Sequence, residues 1–409
     1  MLSRVADSIY WLNRYIERAE NVARFVEVNL NLLMDNPVGM SEQWNPLIEV
    51  TGDRQLFHQL YGGEATAENV LNFLTFDTRS PNSILSCVRA ARENARSVRE
   101  TISSEMWEQV NAFYLQVEEA SKNKSIRDFH GFYSEVKVAS HHFAGVTNAT
   151  QSRGESWHFG QLGRLIERAD KTSRILDVKY FVLLPSVEAV GSPIDDLQWI
   201  ALLKSASAYE MYRKEEHKIS PAGVAKFLIL NPYFPRSIKF CLNRAEYSLN
   251  RIVKSERHDH SSASERALGR VRAELEYLTL DEIFQQGLHE FLGDLQGKLN
   301  DVGDRITQDF MSLPQPAQFA ADSTASNLDS HLDSQSAAVP SLDESQVCSQ
   351  TSSQKPSQAQ SQTNFETKSK TDSKTKSQAQ DGQSQAQSSS EAAQTPSPQL
   401  QSPQLQEVS

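Results

Sequence analysis

Over residues 2–35 apolar side chains recur at alternating spacings of three and four: Ile9, Leu12, Ile16, Ala19, Ala23, Val26, Leu30 and Leu33. At 3.6 residues per turn they share one face of a helix. Trp11, Tyr15, Val22, Phe25 and Leu32 widen that face on one side. A stripe this broad can only be covered by several neighbouring helices, so the chain is expected to fold as a multi-helix bundle.

The rest of the first 312 residues repeats the period. Ile84, Val88, Ala91, Ala95, Val98 and Ile102 predict a second long helix. A third is expected from Ser125, where Ser125 and Asp128 resemble a cap, toward Ser152, and a fourth over 155–183, ending before Pro185. Between the first two, Pro46, Gly62-Gly63 and Pro81 punctuate a region of short helices. After the Gly191/Pro193 break come helices near 195–214, 221–230 and 236–256, then a polar loop over 255–265. Thr279 with Glu282 predicts a capping box for the last helix, whose core face is Leu288, Leu292, Leu295, Leu299, Val302, Ile306 and Phe310. No segment alternates convincingly with a period of two, so the fold class is all-α.

Composition changes at about Leu313. The last 97 residues are dominated by Ser, Gln, Ala, Thr and Pro and contain two aromatics, Phe319 and Phe365. Such a segment buries too little apolar surface to offset its ordering entropy, so 313–409 is expected to be a disordered Ser/Gln-rich tail. Residues 1–312 then form the helical domain, with halves at 1–153 and 154–312. Of the net charge of −11, the tail's ten acids and five bases account for −5. A mildly acidic remainder argues against a general nucleic-acid binder.

Three scattered cysteines (Cys87, Cys241, Cys348) suit buried thiols in a reducing compartment better than a disulfide framework. The charged N-terminus lacks the apolar core of a signal peptide, and no apolar run approaches the roughly 18 residues needed to span a bilayer. A cytoplasmic protein with no membrane contact is expected.

Compared with itself at an offset of 150, the chain aligns RYIERAENVAR (14–24) with RLIERADKTSR (164–174). Arg14, Ile16, Glu17, Arg18, Ala19 and Arg24 recur as Arg164, Ile166, Glu167, Arg168, Ala169 and Arg174. So many matches in register suggest two related halves built on long Glu-Arg helices. A fainter echo, VRAARENARSVRE (88–100), adds Arg92, Glu93 and Arg96 to the candidates. On a helical wheel Arg14, Glu17 and Arg24 fall opposite the apolar face, as a solvated surface with i, i+3 and i, i+4 salt bridges would. Arg18 lies instead on the apolar seam of Trp11, Phe25 and Leu32, and Arg168 takes the matching place beside Ile175. A guanidinium there is expected to be at least half-buried and paired with a carboxylate of another helix, Glu167 or Glu17 first, or with a bound anion. The bland alternative is an Arg whose stem lines the core while its head reaches water.

Other chemistry is sparse. Neither nucleotide-binding glycine patterns nor zinc-protease or serine-hydrolase signatures occur. One Glu-x-x-His, Glu155 with His158, falls short of the pair a di-iron bundle needs. Adjacent His141 and His142 point about 100° apart on a helix and cannot share a metal. No metal or cofactor is expected, and no nucleophile stands beside a recognisable base.

The segments SRVADSIYWLNRYIERAENVAR (3–24), PNSILSCVRAARENARSVRETIS (81–103), GQLGRLIERAD (160–170), SAYEMYRK (207–214) and FPRSIKFC (234–241), in this order, resemble the alpha-E domain family. The resemblance covers roughly 1–311, and the Ser/Gln tail lies outside it. His158 stands where the family pattern leads one to expect Arg. The resemblance implies an all-helical domain associated with circularly permuted ATP-grasp proteins and transglutaminase-like proteins, in systems that make or modify peptides by amide ligation. Three functions follow: a non-catalytic helical partner of an ATP-grasp amidoligase; a ligand-binding module or enzyme whose clustered arginines hold a phosphate or carboxylate; or a structural oligomer. An inward-facing cluster of Arg14, Arg18, Arg164 and Arg168 would favour the second.

Overall fold

A computed structural model describes residues 1–35, 44–122, 129–181, 191–256 and 261–312. The expected tail and the Ser125/Asp128 cap lie outside these residues. Among the described residues the chain is helical, with no strand, as the periodicity requires.

The first half contributes α1 (Ser3–Asp35), short helices α2 (Asn45–Thr51), α3 (Arg54–Tyr61) and α4 (Ala67–Thr75), and then α5 (Ile84–Ser97), α6 (Ser104–Lys122) and α7 (Phe129–Thr150). The second contributes α8 (Glu155–Phe181), α9 (Pro193–Ser205), α10 (Tyr209–Glu215), α11 (Pro221–Leu230), α12 (Ile238–Glu256), α13 (Ala263–Tyr277), α14 (Leu280–Gln286) and α15 (Leu288–Ile306).

Several boundaries differ from expectation, each for a local reason. The second long helix stops at Ser97: Val98 and Ile102 keep the apolar period and stay buried, but they sit in a turn before α6. The stretch 195–214 is two helices, parted at Ser207, whose φ of +49° no helix tolerates. The polar stretch 255–265 conceals the start of α13, where Ser262 and Glu265 form a full capping box. The Thr279–Glu282 box exists but opens the short α14, and Gly287, at φ +98°, separates it from α15.

Two four-helix sets share a central seam. In one, α1, α5, α6 and α7 pack in a ring; in the other α8, α12, α13 and α15 do the same. The seam is α1 against α8, the most extensive helix pair in the chain. Coverage is exchanged across it, because α2 lies on α8 while α9 lies on α1. Both seam helices are therefore surrounded. Every residue from Ala19 to Val26 is buried, as is every residue from Ala169 to Ser173.

Glycines set how closely the seam helices approach. A Cβ on Gly163 would lie 2.4 Å from the Tyr10 carbonyl oxygen, and one on Gly160 would lie 2.7 Å from the Asn13 amide nitrogen. These two contacts are mates under the 150-residue offset. The helices thus cross about a local pseudo-twofold, and that crossing carries the Glu-Arg motifs into contact.

Candidate functional site

The motifs exchange carboxylates across the seam. Arg18 grips Glu167 through two guanidinium nitrogens, at 2.7 and 3.0 Å. Arg168 grips Glu17 in the same way, at 2.9 and 2.6 Å. Each arginine head is largely buried, with side-chain exposures of 15% and 14%, and each carboxylate is almost wholly so. Both arginines thus have carboxylate partners on the opposite helix.

Glu17, Arg14 and Arg24 are not on a solvated surface. Their wheel position is polar, yet α1 is covered on that side, by α8 at Arg14 and Glu17 and by Ser207 and His141 of α7 at Arg24, and Glu17 and Arg24 are 2% and 4% exposed. Arg14 donates to Glu167 at 2.8 Å and to the Tyr10 hydroxyl at 3.2 Å, its head also lying over Trp11. Arg24 clasps Glu20, one turn earlier on α1, at 2.7 and 2.9 Å, and also donates to the Ser207 hydroxyl. Arg174 clasps Asp170 in the matching manner on α8, at 3.0 Å.

Arg92, Glu93 and Arg96 do not join this cluster. Glu93 pairs with both neighbouring arginines on the outer face of α5, and Arg92 turns to Asn111 and to the rings of Trp107 and Tyr114. The echo at 88–100 marks a solvated helix face.

Several partners carry no Glu-Arg signature. Arg236, just before α12, is 6% exposed and donates to Glu17 at 3.0 Å, to Asn21 at 3.1 Å and to Glu20. In the first half Asn82, just before α5, accepts from Arg18 at 2.7 Å and donates to Asp53 at 2.8 Å. A second in-register match would have found them: Pro81-Asn82-Ser83-Ile84 with Cys87 against Pro235-Arg236-Ser237-Ile238 with Cys241. Ser140 and His141 of α7 add bonds to Glu20 at 2.7 and 3.1 Å, and Lys171 to Asp170 at 3.0 Å.

These carboxylates are fixed anions. Burial alone would raise the pKa of Glu17, but Arg168 and Arg236 outweigh it and hold it below the ordinary value. Glu167 is held well below that value against burial by Arg18, Lys171 and Arg14, and Glu20 by Arg236, His141 and Arg24. Burial pushes the thiols of Cys87 and Cys241 up to about 12, which leaves them protonated and unreactive.

Arg164 breaks the pattern. Its counterpart Arg14 has a carboxylate, whereas Arg164 donates to the Gln161 side chain and leaves a buried Nε without a partner. Burial first, and then the neighbouring Arg168, pull its pKa down to about 10. It faces a cavity of about 560 Å³ between α8 and α12, whose lining also includes Arg153, His158, Arg168, Arg244 and Arg251. Arg14 and Arg18 lie with Glu167, so the four arginines of the two motifs do not converge on one pocket.

Among the described residues no group of three or more His, Cys, Asp or Glu is placed to hold a metal, and no helix is long and apolar enough to cross a membrane.

A family model described as a predicted alpha-helical domain with a conserved ER motif matches residues 1–311. This chain belongs to that family, Alpha-E. It is also similar to uncharacterized proteins of Mycobacterium bovis (Mb2597) and Mycobacterium tuberculosis (MT2643 and Rv2567). Identity is 25% over 342 residues, covering 76% of this chain. The chain spans 37% of the length of these relatives. No solved structure matches.

Proposed function

We propose, with membership of the Alpha-E family as the premise, that this protein is a non-catalytic helical partner of a peptide-making or peptide-modifying system, working beside an ATP-grasp amidoligase and a transglutaminase-like protein. The observation that carries this reading is the state of the motif carboxylates. Glu17, Glu20 and Glu167 are each held by at least two cationic groups and kept anionic, which suits a rigid framework and not proton transfer near neutral pH. The relatives add support. In each, the matching stretch belongs to a much longer polypeptide, as expected of a unit that operates alongside other domains. The two four-helix sets and the in-register motifs support an origin by duplication, with halves near 1–153 and 154–312.

The test is reconstitution. The full chain is mixed with recombinant ATP-grasp and transglutaminase-like proteins of the same system, with and without ATP, and complexes are resolved by size-exclusion chromatography. Co-elution with the ATP-grasp protein, and increased amide ligation by it, is the expected result. Turnover of ATP or peptide by this chain alone, or separate elution under both conditions, would overturn the reading.

A further inference from the structure

The cavity beside Arg164 concentrates positive charge without a neutralising acid in its lining. Among the described residues four of its arginines make no carboxylate contact: Arg164 bonds to Gln161, Arg153 to Asn148 and over the Trp157 ring, Arg244 lies over Tyr247, and Arg251 extends from α12. Arg168 alone is paired, to Glu17. At the buried end, the Nδ1 of His158, a residue 5% exposed, is also without a partner, as is the Nε of Arg164. Buried polar atoms left unmatched cost stability, so a fold retains them where something else pairs with them. Arg153, Arg244 and Arg251 are exposed and rim the opening.

We propose that this cavity is the binding site for a phosphate-bearing small molecule, with Arg164 and His158 at its floor and Arg153, Arg244 and Arg251 closing on the phosphate from the rim.

Donor arrangement selects phosphate over carboxylate. A carboxylate is planar and offers two oxygens in one plane, and at Glu17 and Glu167 two arginines already occupy them. Here the donors arrive from three separate elements: the turn before α8, α8 itself and α12. That spread suits a tetrahedral group whose oxygens point in several directions and which carries more than one negative charge. Volume adds a second constraint. About 560 Å³ exceeds what one inorganic phosphate fills and lies within the range of organic-ligand pockets. The rings of Trp157, Phe240 and Tyr247 in the same wall supply apolar surface for the non-phosphate part.

Titration calorimetry of the full chain with pyrophosphate, at fixed ionic strength, tests this, with inorganic phosphate and citrate as comparison probes. Pyrophosphate should bind more tightly than either. Arg244→Gln/Arg251→Gln should weaken it about tenfold or more, the scale of losing charge-assisted hydrogen bonds. Both side chains are exposed and, among the described residues, take part in no hydrogen bond or ion pair, so this variant should melt with the wild type. Arg164→Gln should weaken binding to a similar degree. No pyrophosphate binding, citrate binding as tight as pyrophosphate, or an unaltered affinity in the rim variant would each overturn the proposal. These results do not depend on an ATP-grasp partner, so the two readings fail separately.

Discussion

The Glu167 and Glu17 sites are built from the same eleven-residue motif, yet they use their arginines differently. At Glu167 both motif arginines of α1, Arg14 and Arg18, converge on the carboxylate. At Glu17 only Arg168 of α8 does so, and Arg236 supplies the second guanidinium. The difference traces to positions just before the motif. Tyr10 and Trp11 wall Arg14 in and hold its head toward the seam. Gly160 and Gln161 occupy the matching places on α8 and leave Arg164 free to turn into the cavity. The lesson is that a duplicated ion pair can keep its structural duty in one copy while the other releases an arginine, provided a third residue replaces it.

That comparison can be strained most by removing the acids. Glu167→Ala strands Arg14 and Arg18, and Glu17→Ala strands Arg168 while leaving Arg236 with Glu20 as its one carboxylate. Each should cost about 3–5 kcal/mol in chemical denaturation, as expected for uncompensated buried charge. Near-wild-type stability in either variant would mean the pairs are replaceable by water. The glycine crossing comes next. Gly163→Ala should cost about 1–3 kcal/mol, because its Cβ meets the fixed Tyr10 backbone, while Gly160→Ala should cost less, since the Asn13 side chain can move. Equal losses would show the crossing is not set by Gly163. The smallest effect separates the two equivalent arginines. Arg14→Met should destabilise by about 1–2 kcal/mol through its lost bond to Glu167, whereas Arg164→Met should be neutral or stabilising, since a buried cation without a carboxylate is removed. A reversal of that order would contradict the assignment of Arg164 to the cavity.

Much of the architecture is legible in the chain, and the gaps have physical causes. Apolar spacing identifies α1, α5 and α15, because each buries a stripe against its neighbours. It overruns at Val98 and Ile102, since a turn can bury apolar residues at the same spacing as a helix. The cap at Ser262 is hidden among polar residues that read as loop. At the site, the apolar flank of Arg18 and Arg168 points to burial, but a wheel assumes one wet face, and α1 and α8 have none along the motif. The cavity is less visible still. It assembles from residues about 100 positions apart, and Arg244 and Arg251 look like ordinary surface charges on α12.

The seam is held by Glu17 and Glu167, each exchanged to the arginine of the opposite helix and not to its neighbour in the chain. Double-mutant cycles on Arg18/Glu167 and Arg168/Glu17, with the adjacent pairs Glu17/Arg18 and Glu167/Arg168 as controls, measure this directly. Coupling of about 1–3 kcal/mol is expected for both cross-seam pairs and close to zero for both adjacent ones. Coupling confined to the adjacent pairs, or absent across the seam, would contradict it.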